Sequence, residues 1–134
     1  MANLDIKEII TRYKNIAVVG LSPDPGKPSY EVAAYLQRAG FRIIPVNPAC
    51  QEILGERCYP TLADIPDEVE IVDVFRRSEF LPDIVEQAIA KGAKVVWMQE
   101  GIVNESAAAR AEGAGLAVVM DHCLLKEHSR LASR

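Results

Sequence analysis

The sequence predicts an α/β protein: a parallel sheet, doubly wound, with helices on both faces. Three observations carry that prediction. Short apolar runs rich in β-branched residues alternate with longer segments of helical spacing along the whole chain. The apolar runs are continuous rather than alternating with polar residues, as suits strands buried on both faces. The stretch 15–48 reads as strand, glycine-bearing loop, helix and strand, a βαβ unit whose crossover is expected to be right-handed.

The elements follow in order. Residues 4–13 read as a helix that lays Ile6, Ile9 or Ile10, and Tyr13 on the sheet. Residues 16–19 form the first strand, and Gly20 ends it. The loop 21–27 carries Ser, Pro, Asp, Pro and Gly, the residues of tight turns. Pro28 fits the first helical position, where its missing N–H is no loss. Val32, Leu36 and Ala39 recur at helical spacing, and Gly40 suits the end of the helix. Residues 42–46 are the second strand. The stretch 51–65 is less regular, with a short edge strand expected within 55–59 and a helical turn at 61–64. Residues 70–75 are the next strand. A helix then carries Phe80, Ile84, Ala88 and Ile89, with Pro82 in its first turn and Gly92 closing it. Residues 94–98 are a strand, Asn104 caps an alanine-rich helix, 116–120 are the last strand, and Asp121 is expected to cap a C-terminal helix. The alternation defines one doubly wound, Rossmann-type domain over residues 1–134.

Size and composition narrow the function. A chain of 134 residues suits one domain, large enough to fold without disulfides or metal. With 49% apolar and 25% charged residues it reads as a soluble globular protein. A net charge of −4 gives no general attraction for nucleic acid or an anionic membrane. No apolar run approaches the ~20 residues of a membrane span, and Asp5, Lys7 and Glu8 interrupt any signal-peptide pattern. Cys50, Cys58 and Cys123 have no CxxC spacing and read as reduced thiols, so the expected location is cytoplasmic.

Ligands of such folds bind beyond the C-terminal ends of the strands. Four segments are expected to meet there: 20–29, 46–48, 74–78 and 98–102. The loop before Pro28 should present free helix N–H groups and a partial positive charge to an anion. A plain turn in which Gly26 only satisfies backbone geometry is the alternative. The loop matches neither common phosphate fingerprint. Five residues separate Gly20 from Gly26, and Lys27 is followed by Pro28, so the hydroxyl that would hold Mg²⁺ is missing. Ser22 stands where a dinucleotide fingerprint needs glycine, and no acid precedes Glu52 to take a ribose hydroxyl pair. Arg76, just past a strand end, can give a phosphate two parallel hydrogen bonds, whereas Arg77 reads as a solvated charge. Gly101 lets backbone approach a ligand closely. Glu100 has no identified partner, and His122 and Cys123, adjacent on the chain, do not face each other on a helix. Among Cys58, His122, Cys123 and His128 no pair has metal-ligand spacing.

Taken together, VVGLSPDPGKPSYEVAAYL, GFRIIPVNP, VDVFRRSE, VWMQEGIVNE and DHCLLKEHSRL resemble the stand-alone CoA-binding proteins. That Rossmann-type family is similar to the N-terminal domain of the succinyl-CoA synthetase α subunit. The resemblance covers nearly the whole chain and implies a five- or six-stranded parallel sheet that binds coenzyme A. It implies that Gly20, Ser22, Lys27, Pro28 and Ser29 form the phosphate-facing loop. Val46, Asn47 and Pro48 would line adenine and ribose. Phe75 and Arg76 would close the crevice, and Gln99, Glu100 and Gly101 would flank the pantetheine arm. The synthetase also uses a phosphorylated histidine in a second domain, for which this chain has no matching segment. The expectation is a non-catalytic carrier, sensor or partner module for CoA or an acyl-CoA. The alternatives are a small enzyme acting on an acyl-CoA or nucleotide through Glu100 or Cys123, and a subunit whose crevice faces itself in a homodimer or an unidentified protein.

Overall fold

The computed structural model describes residues 5–133. Its elements are α1 (Ile6–Arg12), β1 (Asn15–Val19), α2 (Pro28–Arg38), β2 (Arg42–Val46), β3 (Glu52–Ile53), β4 (Glu56–Arg57), β5 (Ile71–Val74), α3 (Leu81–Lys91), β6 (Val95–Met98), α4 (Glu105–Gly113), β7 (Ala117–Val119) and α5 (Leu124–Ala132). Five parallel strands run in the order β2-β1-β5-β6-β7. Val19 lies opposite both Val46 and Val74, and Val74 lies opposite Met98, so these four strands end level. The chain builds outward from β1 to β2 on one side, then returns to β5 on the other. The switch point therefore lies between β1 and β5.

Both faces of the sheet are buried, which is why its strands read as continuous apolar runs. Ala17, Val19, Val72, Val74, Val96 and Met98 face one core with Leu81, Ile84, Val85 and Ala88 of α3 and Ala107, Ala108 and Ala111 of α4. Ile16, Val18, Ile71, Val95 and Trp97 face the other, under Ile9 and Ile10 of α1, Val32, Ala33 and Leu36 of α2, and Leu124 of α5. The small alanines let α4 lie close beside α3, and Arg110 reaches across to Glu86 at 2.7 Å. At the opposite edge from the strand ends, the Glu70 carboxylate accepts from the N–H groups of Lys14 and Asn15 at 2.9 and 3.0 Å and fixes where β1 begins.

Most predicted elements have the expected type, and three details differ. The first helix begins at Ile6, with Asp5 accepting from the Glu8 N–H at 2.8 Å; Leu4 lies outside the described residues. The expected edge strand near 55–59 is a separate hairpin of β3 and β4, turning through Leu54 (φ 55°) and Gly55 (φ 76°). Two successive left-handed residues make the turn that matches strand twist. Asp121 is not the cap of α5. That position belongs to Cys123, and Asp121 holds a left-handed φ of 59° two residues earlier.

Candidate functional site

The site is built around Gly20. Its φ of +88° is left-handed, and its N–H donates to the Val46 carbonyl at 3.0 Å. A Cβ there would come within 2.9 Å of both the Phe75 carbonyl oxygen and Arg76 Cδ. Only glycine lets the chain leaving β1 touch the chain leaving β5 so closely. The missing side chain thus joins two of the four expected segments at the switch point.

The loop after Gly20 is held by its own polar groups. Ser29, buried at the head of α2, accepts from the Ser22 N–H at 3.0 Å, and Ser22 Oγ accepts from the Asp24 N–H at 3.1 Å. Asp24 Oδ1 accepts from the Gly26 N–H at 2.9 Å, and the Lys27 N–H donates to the Asp24 carbonyl. Asn47, after β2, donates its amide to the Leu21 carbonyl at 2.9 Å and tethers the loop to the second strand. Ser22, Ser29 and Asn47 therefore shape the loop. Lys27, Pro28 and Gly26 stay exposed on it, and α2 starts with Pro28 and no side-chain cap. Its leading N–H groups carry the positive end of the helix dipole toward the strand ends.

Across the gap, Arg76 is exposed, lies 4.3 Å from the Phe80 ring centroid and joins no ion pair among the described residues. Arg77 is turned to solvent and pairs with Glu79 at 3.3 Å. A hollow of about 130 Å³ opens between Val19, Val46, Pro48, Arg76 and Phe80. It is smaller than the ~300 Å³ and upward typical of whole-ligand pockets, so it suits one end of a ligand whose remainder lies in the open cleft. A larger hollow of about 530 Å³ lies against β7 and α1, lined by Ile6, Val118 and Met120. It shares no residue with the loop and lies off the switch point; Asp5, Lys7 and His122 also line it.

The third group of expected residues lies farther along the edge. Gln99 is buried and turns its amide inward, donating to Asp73 Oδ1 at 2.6 Å. Glu100 is exposed and paired with Lys126 at 2.9 Å. Gly101 donates its N–H to Asp121 Oδ1 at 2.6 Å, and the buried Trp97 donates Nε1–H to the His122 carbonyl at 2.9 Å. These bonds tie the end of β6 to the end of β7. Cys123 is half-buried, and the His122 ring nitrogen Nδ1 bonds the Met120 carbonyl at 2.7 Å. Among the described residues no group of three or more His, Cys, Asp and Glu is placed to hold a metal, and no helix is long and apolar enough to cross a membrane.

Sequence reasoning passed over Asp73 and gave Phe80 and Asp121 structural roles only. Asp73 is fully buried one residue before the end of β5, and its Oδ2 has no hydrogen-bond partner among the described residues. Burial pushes its carboxyl up from 3.8 to about 7, against the Gln99 hydrogen bond, which pulls the other way. The signal was present: one acid inside the apolar run 70–75. Phe80 was read only as a core residue of the helix.

Comparison with known proteins places the chain in a family. The CoA binding domain family model matches residues 14–129. The chain belongs to that CoA-binding domain family. It is 45% identical to the uncharacterized protein YneT of Bacillus subtilis over 125 residues, 93% of each chain. A hypothetical protein from Pyrococcus horikoshii superposes with a TM-score of 0.93 at 47% identity, covering 98% of this chain and 93% of that one. The homology extends to the CoA-binding domain of ADP-forming acetyl-CoA synthetases. Acetate–CoA ligase (ADP-forming) II of Archaeoglobus fulgidus is 37% identical over 83 residues, 60% of this chain but 12% of the ligase. Family membership supports a CoA-binding role.

Proposed function

We propose that the chain is a CoA-binding module that holds CoA, or an acyl-CoA, at the C-terminal edge of its sheet and acts as a carrier, sensor or partner rather than as a catalyst. The observation that carries the reading is the contact at Gly20, which sets Arg76, free of any ion pair among the described residues, against the loop that leads into the start of α2, which has no side-chain cap. A guanidinium and the positive end of the α2 dipole are complementary to the diphosphate and 3′-phosphate of CoA. Gly20, Ser22, Gly26, Lys27, Pro28 and Ser29 form the phosphate side. Val46, Asn47 and Pro48, with Phe80 beneath Arg76, take the adenosine end in the small hollow. Phe75 and Arg76 close the cleft, and the pantetheine arm runs past the turn at Gln99, Glu100 and Gly101.

No observation favours the enzymatic alternative. The Glu100 carboxylate is engaged by Lys126, and Cys123 has no base hydrogen-bonded to it among the described residues. Mass spectrometry of the purified protein under non-denaturing conditions tests the proposal. The expected result is a mass increment of CoA or an acyl-CoA, or stoichiometric uptake of added CoA by the stripped protein. Failure to take up CoA at concentrations that saturate CoA-binding proteins overturns it.

A further inference from the structure

The Asp73–Gln99 pair has no part in the loop chemistry, yet it lies directly under it. Strand alternation puts Asp73 on the face of Ile71, between Val18 of β1 and Trp97 of β6. Gly20 lies two residues beyond Val18, about 7 Å along the strand. One carboxyl oxygen accepts from Gln99 and the other has no partner in a fully buried position. An ionised carboxylate is therefore poorly stabilised there. The charged and titratable groups at this end of the covering elements are Lys27 and Glu31 of α2, Lys126 and Glu127 of α5, and His122 and Cys123 before it. On α1 they are Lys7, Glu8 and Arg12. None of these bonds to Asp73, and its displaced pKa has only two causes, burial and the Gln99 bond.

We propose that binding of the polyanionic ligand at the strand ends is coupled to uptake of one proton by Asp73. The inference rests on the proposed CoA-binding role. A ligand carrying several negative charges, placed at the loop with water displaced from the cleft, raises the electrostatic energy of a carboxylate beneath it. The carboxyl then takes its proton from the buffer. The same coupling acts in reverse, so a rise in pH that ionises Asp73 weakens the ligand. Gln99 is the positioning residue of the pair: its amide holds Oδ1 in either charge state and leaves Oδ2 as the atom that gains or loses the proton. A carboxyl that begins near 7 makes this exchange in the neutral range, where an ordinary aspartate is already fully ionised.

Calorimetric titration of the whole chain with CoA, in two buffers of different ionisation enthalpy near neutral pH, counts the protons exchanged. Wild type is expected to take up a larger fraction of a proton than Asp73→Asn, which keeps the shape and cannot titrate. The difference between the two proteins removes contributions common to both, those of the CoA phosphates among them. A one-unit rise in the Asp73 pKa also makes wild-type CoA binding about tenfold weaker at high pH than at low pH, relative to the variant. Equal proton uptake with parallel pH profiles overturns the coupling and leaves CoA binding intact. Failure of wild type to bind CoA overturns both. The Asp73 carboxyl carbon, followed by NMR in wild type alone, gives the same answer without a variant: its titration midpoint should move up when CoA saturates the protein, and an unmoved midpoint refutes the inference.

Discussion

Arg76 and Asp73 lie three residues apart and differ in what surrounds them. Arg76 is exposed, stacked on Phe80 and free of any ion pair among the described residues. A hydrogen bond to a charged group contributes about 1.5–3 kcal/mol, so Arg76→Ala should weaken CoA about 10- to 100-fold with unchanged folding. Equilibrium dialysis measures it, and undiminished affinity in the folded variant would remove Arg76 from the site. Asp73 is fully buried, and its carboxyl rises from 3.8 to about 7. For a carboxylate raised by folding, the folded state binds more protons between those two values, so stability falls as pH rises through that window. The full shift corresponds to about 4 kcal/mol lost above neutral pH and nothing lost below the unfolded value. Urea unfolding should therefore show wild type losing stability between about pH 4 and pH 7 while Asp73→Asn does not. Parallel profiles would mean that Asp73 ionises freely. The sequence displayed Asp73 as an acid within an apolar strand, but only the folded chain shows that Gln99, just past the end of β6, is its hydrogen-bond partner among the described residues. Arg76, two residues past the end of β5, was legible as a crevice residue because strand ends feed the crevice in this class of fold.

The Gly20 loop and the first turn of α2 form one unit, held by Ser22, Asp24 and Ser29. Its βαβ setting was readable because turn residues, Pro28 and strand runs are local signals. What the local pattern does not contain is the Gly20–Phe75 approach, since the two residues lie 55 positions apart in sequence. Gly20→Ala meets a left-handed φ, which alone opposes a side chain by about 1–2 kcal/mol, and a backbone oxygen at 2.9 Å besides. The expected outcome is loss of CoA binding with a lower Tm; unchanged affinity would mean that the loop and β5 separate without consequence for the ligand. Asn104 was predicted as a cap, and it does accept from the Ala107 N–H at 2.9 Å. Asn104→Ala should lower stability by about 1 kcal/mol, and a denaturation midpoint that does not move would show the cap to be replaced by water. Asp121 misled the same reasoning. An acid before a helix reads as a cap, but its left-handed φ turns the carboxylate to the Gly101 N–H instead. The strand expected within 55–59 is present as β4, followed by a bridge from Tyr59 to Val46 at the sheet edge, but its hairpin partner β3 was missed because two residues carry too little pattern.

At the scale of the whole molecule, a switch point between β1 and β5 gathers the loop, the end of β2 and the Arg76 segment on one edge. The strand ends lie level, so residues distant in sequence meet without long loops. The selectivity of the proposed site follows from what that edge presents. No hydroxyl directly follows Lys27 to hold Mg²⁺, and no acid ends β2 at Val46, Asn47 and Pro48 to receive an adenosine hydroxyl pair. Lys27 and Arg76 are instead placed for a phosphate-rich ligand, and affinity should decline as salt screens them. The most direct measurement is calorimetric titration of the stripped protein with CoA, NAD and ATP at one ionic strength. CoA is expected to bind tightest of the three, with one site per chain; NAD or ATP binding at least as tightly as CoA would contradict the functional account while leaving the fold untouched.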